Sequence, residues 1–344
     1  MIRESVLVAL ASAFFALYAI ADDSLLSHPR ADMSLGAIAK QLNAPGITIL
    51  KPDKDEPEWW AGAPSVARDK DGVFWMACRM RAGEGERGLR GYEIRILRSS
   101  EGEHFEKVLT IKREDVPIPG FERPALLIDP ATNKFKLYAC GPWKEGPWSI
   151  IKFDDAATPA EFLASTAKPV IVPREKNYER DQQPIEYKDP VIVCAENKYH
   201  CYVIGYVRRN ERIFHFVSDD GEKWQPVGNP YEPIMDLSGW HDFFVRPASV
   251  VFTGAGHLYV YEGSKTSWYD PVYNVATGLA YTFDLHRVID LTPNAPLAVS
   301  VTPSEHFATF RYSSWLRVEN AFWVYAEVTA PNDTKEIRLF KPVL

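Results

Sequence analysis

A strand-start pattern recurs five times along this chain, and it restricts the fold more than any other feature. The copies are Ala63-Pro-Ser-Val-Ala, Arg123-Pro-Ala-Leu-Leu, Asp189-Pro-Val-Ile-Val, Arg246-Pro-Ala-Ser-Val and Tyr312-Ser-Ser-Trp-Leu. Each is followed by a turn and a second apolar run, such as Val73-Phe-Trp-Met-Ala, Phe135-Lys-Leu-Tyr-Ala and Ala321-Phe-Trp-Val-Tyr. The anchors Pro64, Pro124, Pro190, Pro247 and Ser313 lie about 57 to 66 residues apart. Four-stranded propeller blades repeat at roughly 40 to 50 residues, and longer loops stretch that period. Proline suits the first residue of a strand, where a missing N–H costs little. The expectation is an all-β chain: a five-bladed β-propeller in which the residue before each anchor faces one central funnel.

The ends of the repeat array suggest how the ring closes. Outer strands are expected at Val108-Leu-Thr-Ile, Pro169-Val-Ile-Val and Val288-Ile-Asp-Leu, each before the next anchor. Ile47-Thr-Ile-Leu has the same character but precedes the first repeat, and the last repeat lacks an outer strand after Glu336-Ile-Arg-Leu-Phe. The N-terminal strand is therefore expected on the outside of the final blade, which would leave only short, protected edges.

Two copies of a second motif end third strands: Ser99-Ser-Glu-Gly-Glu-His-Phe105 and Ser218-Asp-Asp-Gly-Glu-Lys-Trp224, with Ala280-Tyr-Thr-Phe-Asp-Leu-His286 as a degenerate third. The Ser and the acid can cap backbone groups, and Gly can take positive φ, so this reads as a structural turn despite its carboxylates.

The chain has 344 residues, 46% hydrophobic and 13% aromatic, enough for a large core in one domain. A net charge of −7 argues against nucleic acid as a partner, and no Lys/Arg-rich run would hold an anionic membrane. Residues 1–21 read as a signal peptide: Arg3 in a short leading region, an apolar stretch over Val6 to Ile20, and Ala19-Ile20-Ala21 before Asp22. An uncleaved anchor is the alternative, though the stretch is short for a span. Residues 22–45 would form a leader with a short helix over Ser34 to Gln41, and 46–344 the propeller domain. The expected location is secreted or periplasmic. Cys194 and Cys201 flank the Glu196-Asn-Lys turn; pairing Ala195 with His200 would set them opposite each other, as a disulfide or as two thiols.

The Asp-Pro strand start, the Ser-x-Asp-Gly-x-x-Trp turn and the count of five resemble the five-bladed glycosidase superfamily, which includes glycoside hydrolase families 43, 32, 62, 68, 117 and 130. The resemblance spans roughly residues 47–344. It implies acidic residues at inner strand starts that cleave a glycosidic bond. Asp189 in Tyr187-Lys-Asp-Pro-Val matches; Trp60-Ala-Gly-Ala-Pro-Ser-Val offers Ala63 where family 43 carries its base. Ala-Gly-Ala-Pro with the following Trp-Met-Ala is closer to family 130, whose members cleave mannosides with phosphate or water.

Glycoside cleavage needs a carboxylic acid for the leaving oxygen and, in inverting enzymes, a carboxylate for water roughly 6.5–9.5 Å away. Asp189, Glu122 in Phe-Glu-Arg-Pro and Asp242 in Trp-His-Asp-Phe-Phe are the catalytic candidates, with Glu262 on a second strand as a further acid of the site. Arg79, Arg81, Arg123, Arg246 and Arg311 sit at inner positions, and Arg forks hold carboxylates and phosphates. An anionic sugar, a sulfated sugar or a phosphate co-substrate would explain them; so would a neutral network with the acids. Trp59, Trp60, Trp143, Trp148, Trp240, Trp268 and Tyr269 sit in loops expected on the funnel side, and Trp59, Trp60, Trp240 and Trp268 are expected to line one sugar-stacking mouth, with His241 as a hydroxyl partner, proton carrier or satisfied loop histidine. No cofactor is called for by any motif, and whether a metal such as calcium fills the channel stays open.

The expected partner is an oligo- or polysaccharide, and the leading expectation an exported glycoside hydrolase or phosphorylase. Phe-x-Arg-Pro segments with an arginine cluster leave a sialidase-like hydrolase as an alternative, although sialidases have six blades. The missing first-repeat acid leaves a non-catalytic sugar-binding propeller as another.

Overall fold

The structure, a computed structural model, describes residues 35–83, 90–173, 184–208, 210–302, 304 and 306–343. The expected signal peptide and the leader up to residue 34 lie outside the described residues. What is described is almost entirely β, built from antiparallel four-stranded units.

Unit 1 contains β2 (Trp60–Arg68), β3 (Phe74–Arg81), β4 (Gly91–Ser99) and β5 (Glu106–Lys112). Unit 2 contains β6 (Ala125–Ile128), β7 (Phe135–Pro142), β8 (Trp148–Lys152) and β9 (Lys168–Ile171). Unit 3 is β10 (Tyr187–Ala195), β11 (Lys198–Val207), β12 (Asn210–Ser218) and β13 (Gln225–Pro226); unit 4 is β14 (Phe244–Phe252), β15 (His257–Ser264), β16 (Ala276–Thr282) and β17 (Ile289–Asp290). The last unit runs β18 (Phe310–Val318), β19 (Ala321–Thr329) and β20 (Lys335–Phe340), with β1 (Ile47–Leu50) antiparallel to β20 through Ile47 opposite Leu339. The N-terminal strand thus takes the outer position expected for it. One parallel bridge, Trp60 to Lys335, joins the last unit to unit 1.

First strands pack on one another in the cycle β2, β6, β10, β14, β18 and back to β2. Apolar layers fill the gaps between successive units. Alternation along β3 shows how: Trp75 and Ala77 enter the layer shared with unit 2, while Phe74, Met76, Cys78 and Met80 enter the layer shared with the last unit. A strand covered on both faces reads as a near-continuous apolar run because its two side-chain rows serve two cores. Helix α1 (Leu35–Leu42), one residue later than expected, lays Ile38 and Leu42 on the layer between unit 4 and the last unit.

The Ser-x-acid-Gly turns fasten neighbouring units. Ser99 Oγ accepts from the Glu101 and Gly102 amides at 3.2 and 2.8 Å, and Ser218 Oγ accepts from Asp220 and Gly221 at 3.3 and 2.9 Å. The glycines take φ of 84° and 75°. Backbone amides of Lys223 and Glu222 hold the Asp220 carboxyl down to about 2. Each turn carbonyl then receives a tyrosine from the preceding unit: Tyr325 donates to Gly102 and Tyr138 to Gly221, both at 2.7 Å. In the degenerate copy Leu285 takes positive φ in place of glycine, and Tyr202 donates to its carbonyl.

The Cys194–Cys201 expectation is corrected. Glu196 and Asn197, with φ of 53° and 60°, make a two-residue turn, so Ala195 pairs with Lys198 and Cys194 with Tyr199. Cys201 falls opposite Ile192, and both thiols are free. The shorter turn moves the register by two residues and takes the sulfurs out of bridging position.

Candidate active site

The register slips where most first strands begin. Shifts fall between Gly62 and Ser65, Lys188 and Val191, Pro247 and Ser249, and Arg311 and Ser314. Ala63, Asp189 and Tyr312 sit in three of these bulges with φ of 50°, 51° and 52°. Left-handed backbone at non-glycine residues costs free energy, and such strain concentrates at functional sites. The bulges re-aim side chains toward a cavity of about 180 Å³ at the strand starts, lined by carboxylates Glu122, Asp189 and Glu211, by Arg81, Arg246 and Arg311, and by Lys188, Trp148, Tyr273 and Tyr312.

The three carboxylates differ in their surroundings. Asp189 is 3% exposed; its Oδ1 accepts from the Arg123 amide at 3.2 Å and its Oδ2 from the Tyr312 hydroxyl at 3.0 Å. Burial, then the nearby Glu122 charge, push its carboxyl above the usual aspartate range against the pull of Arg246. Burial acts the same way on Glu211, but Arg246 and Lys188 outweigh it and hold that carboxyl below its ordinary value. Glu122 is ion-paired with Arg79.

Of the five candidate arginines, Arg81, Arg246 and Arg311 line the cavity. Arg79 lies fully buried behind it, held between Glu122 and Glu327, with Nη2 3.1 Å from Glu327. Arg123 turns the other way. Its guanidinium donates to the carbonyls of Pro247, Ala248 and Ser313, and it lines a separate cavity of about 380 Å³ formed by the later halves of the first strands. Among the described residues no cluster of three or more His, Cys, Asp or Glu side chains is arranged to hold a metal.

Several other expectations are corrected. Asp242 is solvent-exposed outside the cavity, where it accepts from the Thr266 amide at 2.7 Å. His241 is fully buried in the wall of unit 4, with Nε2 3.2 Å from Asp290, so it is a satisfied loop histidine. The four tryptophans form no common mouth. Trp60 is buried with the Arg81 guanidinium and Lys335 Nζ 3.9 and 3.8 Å from its ring centroid. Trp240 is 4% exposed, donates to the Thr292 carbonyl at 2.7 Å and stacks on Tyr261 and Trp268. Trp59 packs edge-on to Tyr92. Of the aromatics expected on the funnel side Trp148 lines the cavity, joined by Tyr273 and Tyr312.

Glu327 and Glu211 were missed. Glu327 had a signal: Arg246 stands directly opposite Glu262 on the neighbouring strand, and Arg311 stands opposite Glu327 in the same way. The two pairs diverge in three dimensions. Arg311 binds Glu327 at 2.8 Å, whereas Arg246 turns to Glu211 and leaves Glu262 without a side-chain partner, accepting from the Ser313 amide at 3.3 Å, with Oε2 unpartnered. Burial therefore pushes the Glu262 carboxyl up from 4.5 to about 7, although Arg123, Arg246 and Arg311 oppose it. An acid raised on folding contributes stability that is full below its unfolded value and lost as pH rises through its folded value. Glu262→Gln keeps the acceptor for Ser313 and removes the proton. The expected result is that wild type loses up to a few kcal/mol between about pH 4.5 and 7 relative to this variant. Urea midpoints at pH 5 and pH 8 measure it, and parallel behaviour of the two proteins would contradict this account.

No protein-family model matches the chain, and no curated protein matches it by sequence. Solved structures do match in fold. One described simply as a glycoside hydrolase superposes with a TM-score of 0.66 at 13% identity, over 90% of this protein and 95% of that one. A glycosyl hydrolase from Bacteroides ovatus gives 0.60 at 12% over 87% and 94%. A beta-1,2-mannobiose phosphorylase from Listeria innocua, in complex with beta-1,2-mannobiose, gives 0.59 at 15% over 88% and 95%. The fold is that of solved glycoside hydrolases and phosphorylases. Coverage of more than nine-tenths of these proteins leaves no large part of their fold unmatched.

Proposed function

We propose that the chain is a five-bladed propeller that cleaves a glycosidic bond in the cavity at its inner strand starts. The cyclic packing of the first strands and the apolar layer in each gap support the blade count. One observation carries the activity: Asp189 and Glu211, from the first and third strands of unit 3, share a small cavity, and their surroundings drive their proton affinities apart. That separation is how acid and base roles are divided between like groups. Asp189, raised, is the general acid for the leaving oxygen. Glu211, held ionised by Arg246 and Lys188, is the carboxylate available to activate water, and Glu122 with Arg79 forms the facing wall. Trp148 and Tyr273 supply apolar surface for a sugar ring. Export is part of the proposal on the residue 1–21 pattern alone.

A second reading, a sugar-binding propeller without turnover, is favoured by one observation: Glu122 and Glu211 both have arginine partners, and Ala63 replaces an acid. A panel of aryl glycosides and oligosaccharides, with and without phosphate, separates the two. Turnover supports the enzyme, and phosphate dependence would mark phosphorolysis. Saturable sugar binding without turnover across the panel would establish the second reading.

A further inference from the structure

Four guanidiniums surround or back the cavity, and three of them have carboxylate partners: Arg79 with Glu122 and Glu327, Arg246 with Glu211, Arg311 with Glu327. Arg81 has none among the described residues. It is 3% exposed and lines the cavity; its single hydrogen bond is from Nη2 to the Tyr273 hydroxyl at 3.2 Å, and its Nε has no acceptor. Its guanidinium sits over Trp60, 3.9 Å from the ring centroid, which restrains the fork. A buried cation without a counter-ion is costly unless something pairs with it. The pattern within the site is consistent: burial works against the charge at all four arginines, the carboxylates outweigh it at Arg79, Arg246 and Arg311, and Arg81 is left lowered.

We propose that Arg81 is a vacant half of an ion pair completed by the substrate, and that the sugar bound in this cavity carries a carboxylate, as in a uronic acid. This rests on the sugar-cleaving or sugar-binding reading above and narrows its substrate class. The charge count selects a carboxylate over free phosphate. One guanidinium has no carboxylate in contact among the described residues, only the more distant charge of Glu122 opposing its burial, whereas a phosphate near neutrality carries more than one negative charge. Glu122 and Glu211 line the same 180 Å³ and would repel the excess. A planar carboxylate also matches the planar fork, which can hold it by two parallel N–H···O bonds.

Isothermal titration of the full protein with D-glucuronate, D-galacturonate, their neutral parents glucose and galactose, and inorganic phosphate tests this. At least one uronate is expected to bind ten-fold or more tightly than its parent. Arg81→Gln is expected to erase that preference, and Arg81→Lys to restore part of it. The wild-type melting temperature should rise with the uronate at concentrations where the parent sugar has no effect, so the ligand series decides the matter even where a variant does not fold. Equal binding of uronates and parents, a preference that survives Arg81→Gln, or Arg81-dependent phosphate binding that displaces the uronate would each overturn the proposal. Cleavage of neutral glycosides with no uronate preference would sink this inference and leave the glycosidase reading standing. Uronate binding with no cleavage of any glycoside would do the reverse to the catalytic part.

Discussion

Asp189→Asn is expected to lower turnover of a cleaved glycoside by about 10²-fold or more while leaving the fold intact. The size follows from removing a proton-transfer group from the transition state. Asp189 is the third residue of β10 and lies inside its bulge at φ 51°, a conformation that asparagine tolerates as well as aspartate does. The side-chain amide oxygen can keep the Arg123 amide donor, and the Tyr312 hydroxyl can turn from donor to acceptor toward the new NH₂. Because the Asp189 carboxyl is raised on folding, ionising it at neutral pH works against the native state, and the amide removes that penalty. The variant should therefore melt no lower than wild type at pH 7. Steady-state kinetics on the substrate found in the panel, beside a thermal melt, read both parts. Wild-type turnover in the variant would remove Asp189 from the chemistry, and loss of fold would make it a strand-start cap.

Glu327→Gln is expected to cost about 3–5 kcal/mol, the range for breaking a buried ion pair from one side. Glu327 is fully buried; Oε2 accepts from the Ala63 amide and Arg79 Nη2, each at 3.1 Å, and Oε1 accepts from Arg311 at 2.8 Å. Gly62 leaves room for it, since a Cβ there would lie 1.8 Å from Oε2. This carboxylate from the last unit thus stitches β2 of unit 1 to β18, next to the joint made by Trp60 and Lys335. Glutamine presents an NH₂ toward one set of donors and leaves Arg311 without a counter-ion. Adding Arg311→Met to Glu327→Gln should recover part of the loss, because it removes the orphaned cation. Urea midpoints of the single and double variants give the comparison. A single-variant loss below about 1 kcal/mol, or no recovery in the double variant, would rule out this network as the joint's support.

Local chemistry made much of the scaffold legible. The prolines mark the first strands, but only Pro124 lies just before its strand as expected; Pro64, Pro190 and Pro247 fall inside theirs, at the register shift, where a bulge excuses the missing N–H. The Ser218-to-Trp224 turn declares itself because a serine, an acid and a glycine satisfy each other's backbone within a few residues. Ile47–Leu50 could be assigned to the end of the chain because a missing outer strand at one end and a spare one at the other are both features of sequence order. Asp189 was legible for the same reason: its place beside Pro190 fixes which end of a strand it occupies.

The site's electrostatics were not local. Arg123 and Arg246 occupy equivalent sequence positions, yet one donates to backbone carbonyls of unit 4 and the last unit and the other binds Glu211 of a neighbouring unit. Arg246 and Arg311 each face a glutamate on the adjoining strand, yet only Arg311 takes it, so Glu262 rises to about 7 while Glu327 stays ionised between Arg311 and Arg79. Trp60 reads as a sugar platform until Arg81 and Lys335 are found on its ring. An arginine side chain reaches several ångströms past its own strand, and its partner is chosen by whichever acceptors from other units fall within that reach. The sequence by itself therefore determined the strands, their order and the turns that bind them, because those depend on neighbours in the chain. Which charges are paired, which carboxylate is raised and which guanidinium is left for a ligand were decided only by the tertiary structure, where groups far apart in sequence compete for the same counter-ions.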